Sequence, residues 1–178
     1  MDLLEKYDNN LTTQDYSQDE GIDGVQIIPI KRFNDESGSL TELIRLNQGK
    51  AENIPDFQLK QINFSVLDGK MIKAFHVHKK QTDIWFVPPN YKVLLLLADL
   101  RKDSPTAENH MRIILGDGNS RLVTIPPGIA HGCKNLAQES AEIIYLVNNK
   151  FDPDPDNCDE LRLPWDIFGE DVWSVSKE

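Results

Sequence analysis

Cysteine is scarce: Cys133 and Cys158 are the only two in 178 residues. Two thiols cannot build a disulfide framework, so a reducing cytoplasm is the expected setting. Excess positive charge is lacking too, with 19 Lys plus Arg against 29 Asp plus Glu and a formal net charge of −10. A chain with a sequence pI near 4.8 repels phosphate backbones, which argues against general docking to nucleic acid or to an anionic membrane. Any anionic ligand must therefore meet a local cluster of cations. Long apolar runs are missing; the longest, Val93–Ala98, has the length of a buried strand and not of a membrane span. Met1-Asp2-Leu3-Leu4-Glu5 has neither the basic nor the apolar region of a signal peptide, so none is expected. Helical periodicity is convincing only near the N-terminus.

Present instead is 39% hydrophobic residue content, set in short runs cut by turn formers. The runs are Val25–Ile30, Leu40–Leu46, Phe57–Val66, Met71–His78, Ile84–Val87, Val93–Leu100, Met111–Leu115, Arg121–Ile125 and Ala141–Val147. Rich in Val, Ile, Leu and aromatics, they predict closely spaced strands without helical crossovers, hence an all-β antiparallel sandwich or barrel. Gly116-Asp117-Gly118-Asn119 predicts a hairpin turn, since these residues tolerate positive φ. Residues 1–24, polar and acidic, predict a flexible arm, and residues 25–178 a single barrel domain. Asp152-Pro153-Asp154-Pro155-Asp156 cannot be an inner strand, because proline lacks a donor. It is expected to lead into the aromatic stretch from Leu163 to Trp173, packed over one barrel end.

Three of four histidines fall in two short motifs. His76 and His78 alternate in a strand-like run, so both rings can share one face, and Asp83 follows five residues after His78. Pro126-Pro127-Gly128-Ile129-Ala130-His131 comes later, with Asn135 four residues beyond. The spacing H-x-H-x4-D and P-x-G-x2-H-x3-N resembles the two motifs of the cupin superfamily, whose corresponding residues often ligate a metal. His76, His78, Asp83 and His131 can surround a first-row divalent ion and leave positions open. Equally, three imidazoles can serve as acid–base or hydrogen-bonding groups in a ligand cavity.

A more detailed resemblance spans about Phe33 to Trp173. Phe33, Asp35 and Gly38 match an F-x-D-x-x-G string, and Gln61, Asn63 and Ser65 match Q-x-N-x-S. Asp99-Leu100-Arg101 with Ser104-Pro105-Thr106 matches D-L-R-x-x-S-P-T. Ile125 to Gly132 matches I-P-P-G-x-A-H-G, and Tyr145 follows His131 by fourteen residues. In this order and spacing the chain resembles the dTDP-4-dehydrorhamnose 3,5-epimerase family, a cupin branch that acts on nucleotide sugars without metal.

The resemblance implies a cupin-type jelly-roll β-barrel with an N-terminal arm and a short C-terminal extension. It implies an epimerase or isomerase of a nucleotide-linked 4-keto-6-deoxy sugar, with no cofactor expected and a homodimer as the assembly. Epimerisation beside a ketone needs a base to remove the α-proton and an acid to return one from the opposite face. His76 is implied as the base and Tyr145 as the acid, through an enolate. Gln61, Asn63, Lys73, Arg101 and His131 are implied to bind the nucleotide-diphosphate sugar. Asp83 stands where the family usually has a lysine that helps hold the enolate, and Ser37 and Lys73 replace two phosphate-binding arginines. The family's C-terminal segment, whose aspartate orients the base, is not recognisable. Two other readings stay open: a metal-dependent cupin using His76, His78, Asp83 and His131, and a non-catalytic nucleotide-sugar-binding cupin. Lys79 and Lys80 read equally as phosphate cations or a solvated face. Trp85, Tyr91 and Phe75 could stack on a nucleotide base but read rather as core, and Cys133 as a small packing residue.

Overall fold

The computed structural model describes residues 3–13 and 21–175. Among the described residues fourteen strands, all paired antiparallel, carry the fold: β1 (Gln26–Pro29), β2 (Arg32–Asp35), β3 (Gly38–Thr41), β4 (Leu46–Asn47), β5 (Lys50–Ala51), β6 (Gln61–Leu67), β7 (Ile72–Val77), β8 (Asp83–Phe86), β9 (Lys92–Asp99), β10 (His110–Gly116), β11 (Arg121–Ile125), β12 (Ile129–Asn135), β13 (Ala141–Val147) and β14 (Leu161–Arg162). One sheet runs β1-β11-β8-β13-β6 and the other β10-β9-β12-β7-β14, with β2-β3 and β4-β5 as separate hairpins. The two sheets face each other as a cupin-type jelly roll. Helix is confined, among the described residues, to α1 (Glu5–Asp8) and a 3₁₀ turn at Glu170–Trp173. Among the described residues no helix is long and apolar enough to cross a membrane.

Strand β9 shows why the core is layered. Its seven residues after Lys92 are all buried. Val93, Leu95 and Leu97 join the cluster between the sheets, with Trp85, Val123, Ile125 and Ile143 from the opposite sheet. The alternate residues Leu94, Leu96 and Ala98 pack on the other face, under Phe75 and Trp173. A strand buried on both faces reads as one continuous apolar run, which is what Val93–Ala98 is.

The C-terminal aromatic stretch therefore lies elsewhere than expected. It covers the outer face of the second sheet and not a barrel end. Trp173 is 2% exposed and stacks on Phe75, ring centroids 5.2 Å apart; Lys134 Nζ holds its carbonyl at 2.8 Å. Gly132 makes room for it, since a Cβ there would stand 2.4 Å from Ala74 Cβ and 3.1 Å from the Trp173 ring. The outer face of the first sheet is covered in the same way, with Ile54 and Phe57 packed over Ile84, Phe86, Leu122 and Leu146. Phe57 thus belongs to this covering segment, not to the strand expected at Phe57–Val66, and Leu40–Leu46 is split between β3 and β4.

The expected hairpin at Gly116-Asp117-Gly118-Asn119 is also corrected. Positive φ at Gly116, Asp117 and Gly118 makes the turn. However, β10 and β11 lie in different sheets, so the turn carries the chain across the barrel. Of the expected arm, residues 1, 2 and 14–20 fall outside the described residues. Residues 3–13 are exposed, whereas Ile22, before the expected boundary at residue 24, is buried in the inter-sheet core.

Candidate active site

A cavity of about 360 Å³ opens between the sheets, lined by residues of both. Asn63 and Ser65 reach it from β6, Asp83 and Trp85 from β8, and Tyr145 from β13. Lys73 and His76 come from β7 on the opposite sheet, His131 and Cys133 from β12, and Arg162 from β14. Lys73 and His76 are three apart, and a regular strand would send them to opposite faces. The β12–β7 pairing shifts register between His131 and Cys133, where His131 opposes His76 and Cys133 opposes Lys73. That irregularity lets both side chains face the cavity.

Each histidine answers to a different partner. His76 Nδ1 pairs with the Glu160 carboxylate, and this bond holds the Glu160 pKa below its ordinary value. His78 Nδ1 donates to the Asp159 carbonyl at 2.6 Å. His131 Nδ1 donates to the Ile129 carbonyl at 3.1 Å. Nε2 of His78 and of His131 lie 3.7 and 3.6 Å from the two oxygens of Asp83. Burial pushes the His131 pKa down against the pull of Asp83, which keeps its imidazole neutral at pH 7. Asp83 itself accepts from Gln81 Nε2 at 2.7 Å and from Trp85 Nε1 at 3.2 Å.

Glu160 was not legible as a site residue, and neither was Arg162. Both follow the acidic 152–159 stretch, which the Asp159 carboxylate anchors by accepting the backbone N–H groups of Lys79, Lys80 and Gln81 at 2.9 Å. Glu160 thus pairs with His76, where the sequence offered no recognisable C-terminal aspartate. Lys79 and Lys80 are exposed and line no part of this cavity.

Two sequence-selected binding residues stand apart. Arg101 lines a separate hollow with Phe168 and Glu108. Its guanidinium is committed to the buried Asp99 at 2.8 Å and to the Asp23 carbonyl at 2.7 Å. The D-L-R and S-P-T strings thus form a structural knot, in which Ser104 and Thr106 hydroxyls also donate to Asp99 at 2.6 and 2.7 Å. Gln61 lies beside the cavity; its Nε2 donates to Asn63 Oδ1 at 2.7 Å. Of the four residues read as a metal set, His78, Asp83 and His131 converge, and His76 is drawn to Glu160.

Burial raises the Tyr145 pKa, so its hydroxyl stays protonated at neutral pH. The same cause pushes the Cys133 thiol up to about 12, leaving it inert. Trp85 packs edge-on to both Tyr145 and His131, with ring centroids at 4.6 and 5.6 Å. It is wall, not a base-stacking platform.

A jelly roll with a polar, ionisable cavity between its sheets is the frame of a cupin-type enzyme. Residues 19–169 match the family described as dTDP-4-dehydrorhamnose 3,5-epimerase. The spore coat polysaccharide biosynthesis protein SpsL of Bacillus subtilis is 36% identical over 145 residues, covering 82% of this chain and 91% of that protein. The crystal structure of a dTDP sugar isomerase from Desulfovibrio desulfuricans superposes with a TM-score of 0.71 at 25% identity, covering 82% of this chain and 87% of that one. The dTDP-4-dehydrorhamnose 3,5-epimerase of Bacillus anthracis, solved with TDP and PPi bound, gives a TM-score of 0.69 at 25% identity over 86% of this chain and 87% of that one. The chain belongs to the dTDP-4-dehydrorhamnose 3,5-epimerase family, a family of sugar epimerases.

Proposed function

We propose that this protein epimerises a nucleotide-linked 4-keto-6-deoxy sugar, with His76 as base and Tyr145 as acid. One observation carries the reading: the two residues line one cavity from opposite sheets, His76 from β7 and Tyr145 from β13. A sugar ring lying between the sheets presents one face to each, as inversion by deprotonation and reprotonation requires. Glu160 accepts from His76 Nδ1, which leaves Nε2 with the lone pair and favours the imidazolium that forms. Tyr145, held protonated, is suited to donate.

The enolate needs a positive or hydrogen-bonding neighbour, and Asp83 cannot provide it. Lys73 and Asn63 can. Lys73 Nζ spends two of its three donors on Ser65 Oγ at 3.1 Å and the Val66 carbonyl at 2.7 Å. With Oδ1 held by Gln61, Asn63 has its own amide N–H groups to offer. Lys73 and Arg162 are the cations lining the cavity, and so the groups that would meet a diphosphate on an otherwise acidic protein. The TDP and PPi in the Bacillus anthracis structure support this ligand class.

The test is hydrogen exchange on dTDP-4-keto-6-deoxyglucose in D2O, following the sugar C3 and C5 protons by NMR. Loss of one or both signals is expected with the wild type and not with His76→Asn. Tight binding of the nucleotide sugar without exchange would replace this reading with a non-catalytic one.

A homodimer belongs to the same proposal. Edge strand β6 leaves Ile62, Phe64 and Val66 59%, 62% and 46% exposed. Phe64 lies at the cavity. A second copy covering this edge would shield three alternate apolar side chains and close the site. Light scattering should give twice the chain mass, and Phe64→Glu should return the monomer. The cytoplasm is the proposed location, in keeping with two free cysteines.

A further inference from the structure

We propose that the cavity selects a nucleotide-linked 3-amino sugar, with the ammonium group held by Asp83 and His131 and, beside them, His78. The proposal rests on the nucleotide-sugar reading above and names the class of sugar within it.

The cavity floor is built of acceptors. Asp83 and His131 are only 5% and 2% exposed, yet both line the cavity. The Asp159 and Ile129 carbonyls can only accept, so Nδ1 of His78 and Nδ1 of His131 must each carry a proton. Each ring then turns Nε2 toward Asp83, at 3.7 and 3.6 Å. An N–H at either position would close on the carboxylate to about 2.8 Å, so both nitrogens present lone pairs. Gln81 Nε2 lies 3.3 Å from His78 Nε2 and serves it in part. Among the described residues, no donor hydrogen-bonds to Nε2 of His131. Glu160 adds a second carboxylate 3.9 Å from His78 Nε2. A sugar hydroxyl brings one donor and no charge to such a floor. An alkylammonium brings three N–H donors and a positive charge, and its bonds to a carboxylate are roughly twice as strong as neutral ones.

Strand register makes the cavity bipolar. Lys73 Nζ is held on Ser65, which pairs with Ile143, whereas Asp83 pairs with Val147. At about 3.3 Å per residue, the cationic and anionic ends therefore stand roughly 13 Å apart along β13, with Tyr145 midway. Arg162, the other lining cation, is paired opposite His76 on β14, in the sheet facing Asp83. A ligand with its diphosphate toward Lys73 and its ammonium on Asp83 sets its sugar ring beside Tyr145. In a 4-keto-6-deoxy sugar C4 is the ketone, C5 carries the methyl group, and C2 adjoins the diphosphate-bearing C1. C3 is thus the position left for an amino group on the side away from the diphosphate.

The test uses unreactive sugars, in which a hydroxyl replaces the ketone, so that binding is read without turnover. Calorimetry on the full-length protein at pH 7 compares dTDP-3-amino-3,6-dideoxyglucose with dTDP-6-deoxyglucose. The amino sugar should bind roughly tenfold tighter or more, and Asp83→Asn should bring the two affinities within about threefold. Equal affinities in the wild type overturn the proposal without recourse to any variant, and leave the epimerase reading standing. A preference that survives Asp83→Asn belongs to the overall negative charge of the protein and overturns the site. Binding of neither sugar overturns the proposal together with the nucleotide-sugar reading beneath it. An Asp83-dependent preference, with no C3 or C5 exchange in D2O on the matching 3-amino-4-keto sugar, upholds the proposal and removes the epimerase reading alone.

Discussion

His76 and His131 stand directly opposite each other across β7 and β12, with ring centroids 5.9 Å apart, yet they answer to different carboxylates. Glu160 takes His76 at Nδ1, and Asp83 faces His131 at Nε2. The division gives one cavity two kinds of histidine. One is oriented by a half-exposed carboxylate at the mouth, and the other is fixed by backbone on the floor.

Glu160→Gln should therefore strike turnover and spare binding. The amide can still accept from Nδ1, but it carries no charge to favour the imidazolium. A fall in kcat on the order of 10²-fold is expected, with KM nearly unchanged and the fold intact by circular dichroism. Unchanged kcat would remove Glu160 from the mechanism.

Tyr145→Phe separates the acid from the base. His76 still reaches the α-proton, so deuterium should continue to enter the substrate. Inversion should fall by about 10²- to 10⁴-fold, because no group on the opposite sheet returns a proton. NMR reads both quantities in one tube. Equal loss of exchange and inversion would mean that Tyr145 positions the substrate and does not donate.

Much of this was readable from the chain, and the failures have physical causes. The Val93–Ala98 run announced a strand buried on both faces, and His76, His131 and Tyr145 were placed by string and spacing onto strands that do line the cavity. Glu160 was out of reach because it sits 84 residues from His76 in irregular chain, aimed by the Asp159 clamp and by no periodic pattern. Lys73 and His76 share a face through a register shift, which a period of two cannot foresee. Gly116 to Asn119 has the same turn chemistry whether strands pair or change sheets, so the hairpin reading failed there.

Asp99 makes the clearest pH prediction. It is fully buried, and its hydrogen bonds from Arg101, followed by those from Ser104 and Thr106, hold its pKa far below the usual carboxylate range despite burial. An acid whose folded pKa is depressed contributes stability above its unfolded pKa of about 3.9 and loses it as pH falls further. Asp99→Asn breaks the knot and should cost about 3–5 kcal/mol at pH 7. The deficit relative to wild type should shrink steadily in urea melts below about pH 4. Arg101→Ala should lower stability with little change in KM for the nucleotide sugar, since the guanidinium lies outside the cavity.

Trp173 links the C-terminal cover to the site. Its ring lies against Gly132, next to His131, and against Phe75, next to His76. Strands β7 and β12, which line the cavity, thus rest on it from behind. Trp173→Ala opens a large void under β7 and β12 and should cost about 3–5 kcal/mol. For a chain of this length that lowers Tm by roughly 10 °C. Trp173→Phe keeps most of the volume but loses the indole bond to the Trp165 carbonyl at 2.9 Å, and should fall between. If the cover also holds the histidines in register, proton exchange at a temperature where both variants are fully folded should slow in the order wild type, Phe, Ala. Equal exchange rates at that temperature would confine Trp173 to stability alone.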